Sequence, residues 1–447
     1  MPGLGPEELM SNHKPRRTTL TLTMKPRLSK TLCQPFRRFA WLLLLAAASA
    51  ALARSQEPEV ILPLEDGTPL GLGDALVLDP TSDPAHPAVL VGLRRDYPGP
   101  NLFRLTPDDT ATEYLVETLH SPLDGVTRLT HQPGLGVYAI GSSPVSVKRN
   151  QTTSVWTALR SVIGGDHWML EEIFFLGKDP TPSLATGMTV DGQGNVFVTG
   201  VATSGREQRW VIRRQRPGGV WEEVSNLKSR SLNVRPAIAS FPGNPLSPTP
   251  AVIAVSEINS KWAVLRSQQQ GAKGTWQVVD AWPGDVVNES MAADVVNDSA
   301  SGRLYVCGSR GINGLNPSGW RVRMSADGGT TWQTLLDQTA GASWAYRLAT
   351  DGAGGILVSG VVNPTGTTPL WTLVRNVPHQ PWQNAPTGED SWSLREVITD
   401  RNSRAGDVRV DLQGNVFLTG GVAGWSDPAD TAFRVYLLRL AAASVIP

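Results

Sequence analysis

The residues best equipped for chemistry in this 447-residue chain are cationic and aromatic groups gathered in irregular stretches. Arg94, Arg95 and Tyr97 stand almost side by side, Lys148 and Arg149 are adjacent, and Arg206, Arg310 and Trp425 occupy comparable stretches farther on. Guanidinium groups pair oxyanions and aromatic rings cover apolar faces, so such a mixture suits an acidic or sugar-rich ligand. Trp282, Trp344 and Trp382 fall outside any regular spacing and join Trp425 as candidates for stacking on a sugar.

Other chemistry is poorly represented. His86, His120, His131, His167 and His379 include no pair at the three- to five-residue spacing of a zinc site, so no metal is expected. Cys307 occupies the position that Thr199, Ser359 and Thr419 fill in related segments, which marks a small half-buried strand residue and not a nucleophile. No G-x-S-x-G and no phosphate-binding glycine loop occurs. The turns Asp191-Gly-Gln-Gly-Asn195 and Asp411-Leu-Gln-Gly-Asn415 lack the alternating carboxylates of a calcium loop. No catalytic residue and no cofactor is predicted from these residues.

The elements that must position the loops follow from composition and repetition. With 44 Gly and 34 Pro the chain is rich in turn formers, which excludes long helices, while 40% apolar and 18% charged residues place it among folded proteins. Residues 24–38 carry five bases and no acid, and the apolar run 40–53 ends in Ala51-Leu52-Ala53, the form of a signal peptide cleaved after Ala53. Residues 1–23 read as an upstream extension, with Met24 an alternative start. The 14-residue run is shorter than the roughly 20 a membrane-spanning helix needs. A secreted or periplasmic protein with no membrane span and no disulfide is therefore expected, with residues 54–447 as a single domain and a monomer. Beyond Ala53 there are 32 bases against 38 acids, a charge of −6 that disfavours nucleic acid as a partner.

Residues 188–200 recur almost unchanged as residues 408–420, and weaker copies end at positions 92, 141, 256, 308 and 360. Seven units of about 55 residues follow. Each opens with two alternating apolar runs around a turn. A third run then opens at Phe103, Trp156, Trp210, Trp262, Trp320, Trp371 and Phe433, and a fourth, in six units, at Tyr114, Trp168, Trp221, Trp276, Trp332 and Trp392. Four strands per unit is a propeller blade, so the expected fold is an all-β, seven-bladed β-propeller of four-stranded antiparallel blades. The last unit lacks its fourth strand, and the apolar residues 59–64 are placed to supply it, closing the ring from the N-terminus.

Residues 325–332, Ser-Ala-Asp-Gly-Gly-Thr-Thr-Trp, resemble the Asp-box (S-x-D-x-G-x-x-W, or BNR repeat) of sialidase-like propellers, with Ser325, Asp327, Gly329 and Trp332 as its structural positions. Ser161, Gly165 and Trp168 form a partial copy, and the D-x-x-G-N-V segments at Asp191 and Asp411 resemble bacterial β-propeller-repeat secreted proteins. The resemblance spans roughly residues 59–440. It implies a turn that serves the architecture. Sialidases of that family have six blades, an arginine triad, a Tyr/Glu pair and an F/Y-R-I-P motif; Phe103-Arg-Leu-Thr departs from that motif, so sialidase activity is not implied.

Loops between second and third strands and between blades emerge on one face, where the candidate cations lie. The functional expectation is an exported, non-catalytic recognition module for a protein or glycan. The alternative is a carbohydrate-active enzyme, a glycoside hydrolase or lyase of the sialidase-like superfamily. A shallow charged face would mark the first, and two carboxylates about 5 to 10 Å apart in a central cleft the second.

Overall fold

The computed structural model describes residues 59–60, 72–79, 82–83, 87–94, 101–108, 114–119, 121–147, 151–162, 165–229, 235–281, 289–313, 316–317, 319–338, 342–352, 354–363, 370–376, 392–398, 403–423 and 433–440. These form seven antiparallel four-stranded blades in a propeller ring, with no helix. Blade 5 carries an extra two-residue strand, Asn316–Pro317, on Arg303–Asn313. Among the described residues no helix is long and apolar enough to cross a membrane.

The innermost strands of blades 1 to 7 are Leu72–Leu78, Gly125–Gln132, Ser183–Val190, Ala237–Phe241, Glu289–Asp298, Ala342–Thr350 and Ser403–Val410. Each touches the inner strand of the next blade, and Ser403–Val410 touches Leu72–Leu78. In blade 7 the outermost position is taken by Glu59–Val60, which pair antiparallel with Arg439 and Leu438. Residues 61–64, the rest of the expected closing segment, lie outside the described residues, as does the leader.

Burial explains the apolar runs. A blade is covered on both faces by its neighbours, so its middle strands bury consecutive side chains, as in parallel sheets. Ala251–Ile258 is buried at seven of its eight positions and Trp320–Ser325 at all six, whereas the outermost Tyr114–Thr118 exposes four of five. The core is accordingly divided among the interfaces. Leu357, Trp371 and Leu373 of blade 6 meet Val408, Val416 and Leu418 of blade 7. Leu76, Val89 and Phe103 of blade 1 meet Phe417, Val435 and Leu437 of blade 7, and each remaining interface has its own cluster.

The aromatic register expected in all seven blades holds in five. Trp156, Trp210, Trp262, Trp320 and Trp371 pair with Ser142, Val201, Glu257, Ser309 and Val361, each one residue beyond the repeat's terminal position. All five are essentially fully buried. Phe103 and Phe433 pair instead with Val91 and Ala423, away from that position. Blade 1 is offset in its inner pairing too: its strand irregularity falls opposite Gly92 and the residue after it, Leu93, whereas in blades 3 and 6 it falls opposite Gly200 or Gly360 and the residue before it.

The recurrent glycine has a steric cause. A Cβ on Gly360 would lie 2.1 Å from the Trp344 carbonyl oxygen of its own blade and 2.7 Å from the Trp320 ring of the preceding blade. Gly308 is caught in the same way between the Met291 carbonyl and Trp262, and Gly420 between the Arg404 carbonyl and Trp371. The tryptophan of one blade thus needs a glycine in the next.

On the opposite rim, the Asp327 carboxylate accepts hydrogen bonds from Thr330 N (3.0 Å), Thr331 N (2.8 Å) and Ser325 Oγ (2.8 Å). Gly329 N donates to Ser325 Oγ at 2.8 Å, and Gly165 N donates to Ser161 Oγ at 3.0 Å in the related turn of blade 2. Trp332 packs against the core shared by blades 4 and 5. Partial burial works against the Asp327 charge, but hydrogen bonds from Thr331, Ser325 and Thr330 hold its carboxyl below the ordinary range. Asp191 and Asp411 spend their carboxylates similarly, each accepting from two backbone N–H groups and from the Asn195 or Asn415 side chain.

Two outcomes are expected in denaturant melts. Gly360→Ala should cost about 1–3 kcal/mol, the usual penalty for overpacking; an unchanged midpoint would show that the Trp320–Gly360 contact yields freely. Asp327→Ala should cost toward the lower end of about 1–3 kcal/mol, since its donors are partly exposed. That difference should shrink as pH falls through the lowered carboxyl pKa.

Candidate active site

The inner strands do not run evenly beside their neighbours. The register slips between Gly73 and Ala75, Val126 and Arg128, Ala185 and Gly187, Ala292 and Asp294, Ala345 and Arg347, and Ala405 and Val408. A bulged residue leaves the ladder and its side chain is re-aimed. Thr127 and Thr186 use this freedom to donate to the Ala185 and Pro236 carbonyls of the following blades. Asp74, Ala293, Tyr346 and Gly406 instead border a cavity of about 230 Å³.

Arg94, Arg235, Trp344, Arg347, Arg404 and Ala405 complete the wall. Because the wall draws on the inner strands of blades 1, 5, 6 and 7 and on Arg235, just before that of blade 4, the cavity lies at the ring axis. It opens where inner strands begin and second strands end. Asp74 Oδ2 and Arg235 Nη1 form an ion pair at 2.5 Å. The Trp344 and Tyr346 rings stack with centroids 5.6 Å apart and planes inclined by 27°. Burial pushes the Tyr346 phenol up to about 12; Arg404 opposes the rise and Asp74 adds to it. The hydroxyl therefore stays protonated well above neutral pH.

Just beyond the bulges of blades 2, 5, 6 and 7 lies a layer of buried charge, Arg128, Asp294, Arg347 and Asp407. Arg128 stands between Asp294 (3.5 Å) and Asp407 (3.7 Å), and Arg409 pairs with Asp407 at 2.9 Å. Asp407 Oδ2 accepts from Leu76 N of blade 1, and Asp294 Oδ2 from Leu348 N of blade 6, both at 3.1 Å. Burial works against the Arg128 charge, but Asp294 and Asp407 outweigh it and raise its pKa; for Arg409 burial prevails over Asp407 and lowers it. Cavity and floor together hold six guanidinium groups (Arg94, Arg128, Arg235, Arg347, Arg404, Arg409) and three carboxylates (Asp74, Asp294, Asp407), an excess of three positive charges among the described residues. In a recess of low dielectric such an excess focuses attraction for anions.

Of the cations and aromatics singled out in the sequence, Arg94 and Trp344 border the cavity. Arg206 is exposed in the turn between Val196–Ser204 and Glu207–Gln215, away from it. Arg310 lies in Arg303–Asn313. Arg95, Tyr97, Lys148, Arg149, Trp425, Trp282 and Trp382 lie outside the described residues. Cys307 is fully and not half buried, and burial, with the Asp294 charge adding, pushes its thiol well above the ordinary range.

Asp74, Arg235, Tyr346, Arg347 and Arg404 escaped the sequence reading, which began each repeat just after the bulge. The segments Gly73-Asp-Ala-Leu76, Val126-Thr-Arg-Leu129, Ala185-Thr-Gly-Met188, Ala292-Ala-Asp-Val295, Ala345-Tyr-Arg-Leu348 and Ala405-Gly-Asp-Val408 carry the signal. Small or apolar residues flank two positions where charge and ring come and go.

No protein-family model matches the sequence, and no curated protein matches it. Solved structures do. A glucose dehydrogenase is 13% identical with a TM-score of 0.41, covering 86% of this chain and 99% of its own. The α-L-arabinanase of Penicillium chrysogenum is 14% identical at 0.39, covering 87% and 98%, and an α-L-arabinofuranosidase of Fusarium graminearum is 12% identical at 0.42, covering 88% and 100%. An intramolecular trans-sialidase of Ruminococcus gnavus and a polysaccharide lyase, Uly1, also appear.

The expectation of a non-catalytic recognition module is corrected here: the named neighbours are mostly enzymes, and most of their titles concern sugars or polysaccharides. At these identities the likeness is one of fold, and the chemistry rests on the cavity. Its recessed wall differs from the shallow charged face expected of a binder, although the described lining carries one carboxylate, Asp74, and not the expected two.

A difference titration of wild type against Tyr346→Phe, followed by phenolate absorbance, should show one phenol ionising near 12 in place of 10. The folded chain holds that proton more tightly than the unfolded chain, so the group's stabilisation is full below pH 10 and lost as pH rises to about 12. Ionisation near 10 would show the hydroxyl to be freely solvated.

Proposed function

We propose that this protein is a carbohydrate-active enzyme that cleaves a glycosidic bond in the axial cavity. The observation that carries the reading is the meeting, in one recess, of the Asp74 carboxylate, the Tyr346 hydroxyl and the Trp344 ring. Breaking a glycosidic bond requires a proton for the departing oxygen and a group to accept a proton from water or from the sugar. Tyr346, protonated at neutral pH, is placed to give the first. Asp74 is the carboxylate in the wall able to take the second, with Arg235 holding it in position. The Trp344–Tyr346 stack provides an apolar face for a sugar ring.

The described wall contains Asp74 as its sole carboxylate, whereas most glycoside hydrolases place two about the bond. That favours a lyase over a hydrolase within this reading. The basic and apolar leader in residues 24–53 fits an exported enzyme meeting its glycan outside the cytoplasm. Residues 325–332 fit an Asp-box of the sialidase-like kind serving the architecture.

The test is incubation of the purified protein with neutral and acidic polysaccharides, reading reducing ends for any cleavage and absorbance of an unsaturated product for elimination. Cleavage of at least one polymer is expected. Asp74→Asn and Tyr346→Phe should each lower kcat by about a hundredfold or more while melting curves show both folded, Asp74→Asn with a lowered midpoint because Arg235 loses its partner, and Arg206→Ala stays at the wild-type rate. Inertness toward the whole panel, or full activity in both variants, would sink the proposal.

A further inference from the structure

We infer that the sugar taken into the cavity carries an oxyanion, a carboxylate or a sulfate ester, seated against Arg347. This deepens, and rests on, the reading of the cavity as a glycan-cleaving site. Arg347 is the bulge-adjacent residue of the blade 6 inner strand and is only 7% exposed, yet it borders the cavity. Its Nε has no hydrogen-bond partner, and its Nη1 donates to the carbonyl of Tyr346, the preceding residue, at 3.3 Å.

The carboxylates nearby are committed elsewhere. Asp407 is held by Arg409, Leu76 N and Val408 N; Asp294 Oδ2 accepts from Leu348 N, and its Oδ1, which has no hydrogen-bond partner, faces Arg128 at 3.5 Å and makes no ion pair with Arg347. Asp74 is paired with Arg235. Arg347 is thus a guanidinium largely taken out of water with no ion pair of its own among the described residues, a charge that an anion in the cavity would compensate. Arg235 adds a second buried and unpartnered nitrogen, Nη2, to the same wall. A neutral sugar offers hydroxyl groups that leave the charge uncompensated. A carboxylate or sulfate supplies charge and two acceptor oxygens that match the guanidinium fork.

Monosaccharides have no glycosidic bond to cleave, so they separate binding from catalysis. Calorimetric titration with D-glucuronate, glucose 6-sulfate and glucose is expected to show at least one anionic sugar binding about tenfold or more tightly than glucose, weakening as NaCl rises and displaced by inorganic sulfate. Which of the two binds distinguishes carboxylate from sulfate ester.

Arg347→Gln should remove that preference and Arg347→Lys should keep part of it, with melting curves confirming that both fold. Should Arg347→Gln fail to fold, the wild-type contrast with glucose and its salt dependence decide the matter. Equal affinity for all three sugars, no binding of any, or a folded Arg347→Gln that retains the preference overturns the inference. Anionic sugar bound through Arg347 with no polymer cleaved leaves the inference standing and removes the enzyme reading; cleavage of neutral polymers without anion preference does the reverse.

Discussion

A propeller blade has two apolar faces and no core of its own, so it can bury them only against its neighbours in the ring. In this protein that constraint is met by laying a third-strand tryptophan of one blade over the next. Trp320 reaches Gly360, Trp262 reaches Gly308 and Trp371 reaches Gly420, at separations that leave no room for a Cβ. The same glycines lie beneath carbonyls of the inner strands, which ties the outer packing of the ring to the path of its centre. The hydrophobic clusters span blade interfaces for this reason, and the contact between blades 7 and 1 is built like the others.

The bulges follow from the same geometry. Inner strands crowd toward the axis, and an extra residue relieves the ladder while turning a side chain away from its regular course. The ring uses these positions in two ways. Thr127 and Thr186 bind the backbone of the next blade, as do the carboxylates of Asp294 and Asp407 one residue farther on. Asp74 and Tyr346 face the cavity. Architecture and chemistry therefore share one structural device, divided among blades by residue type.

Charge is distributed by the same logic. Beyond Ala53 the chain has an excess of acids, yet its axis gathers an excess of guanidinium groups. Asp294 and Asp407 offset most of the buried charge at the floor and Asp74 that of Arg235, while Arg347 at the cavity wall has no ion pair among the described residues. Tyr346 belongs to this setting too, since the burial that raises its pKa keeps it protonated beside cations.

The repeat of residues 188–200 at 408–420, the spacing of its weaker copies and the tryptophans of blades 2 to 6 made seven blades legible from the sequence, because a repeated packing problem leaves a repeated residue. The hydrogen-bonded turn at Asp327 was legible for the same reason: its partners are within six residues. Phe103 and Phe433 misled, since an aromatic at the right spacing does not reveal its pairing register. The site was hidden for a stronger reason. Asp74, Arg235, Tyr346 and Arg404 are separated by many tens of residues and share no motif, and loops rich in arginine drew attention outward. Local residue order determined the strands, turns and repeat; only closure of the ring, which brings the bulges of distant blades to one axis, decided which side chains meet, because a bulge's direction depends on the strand beside it.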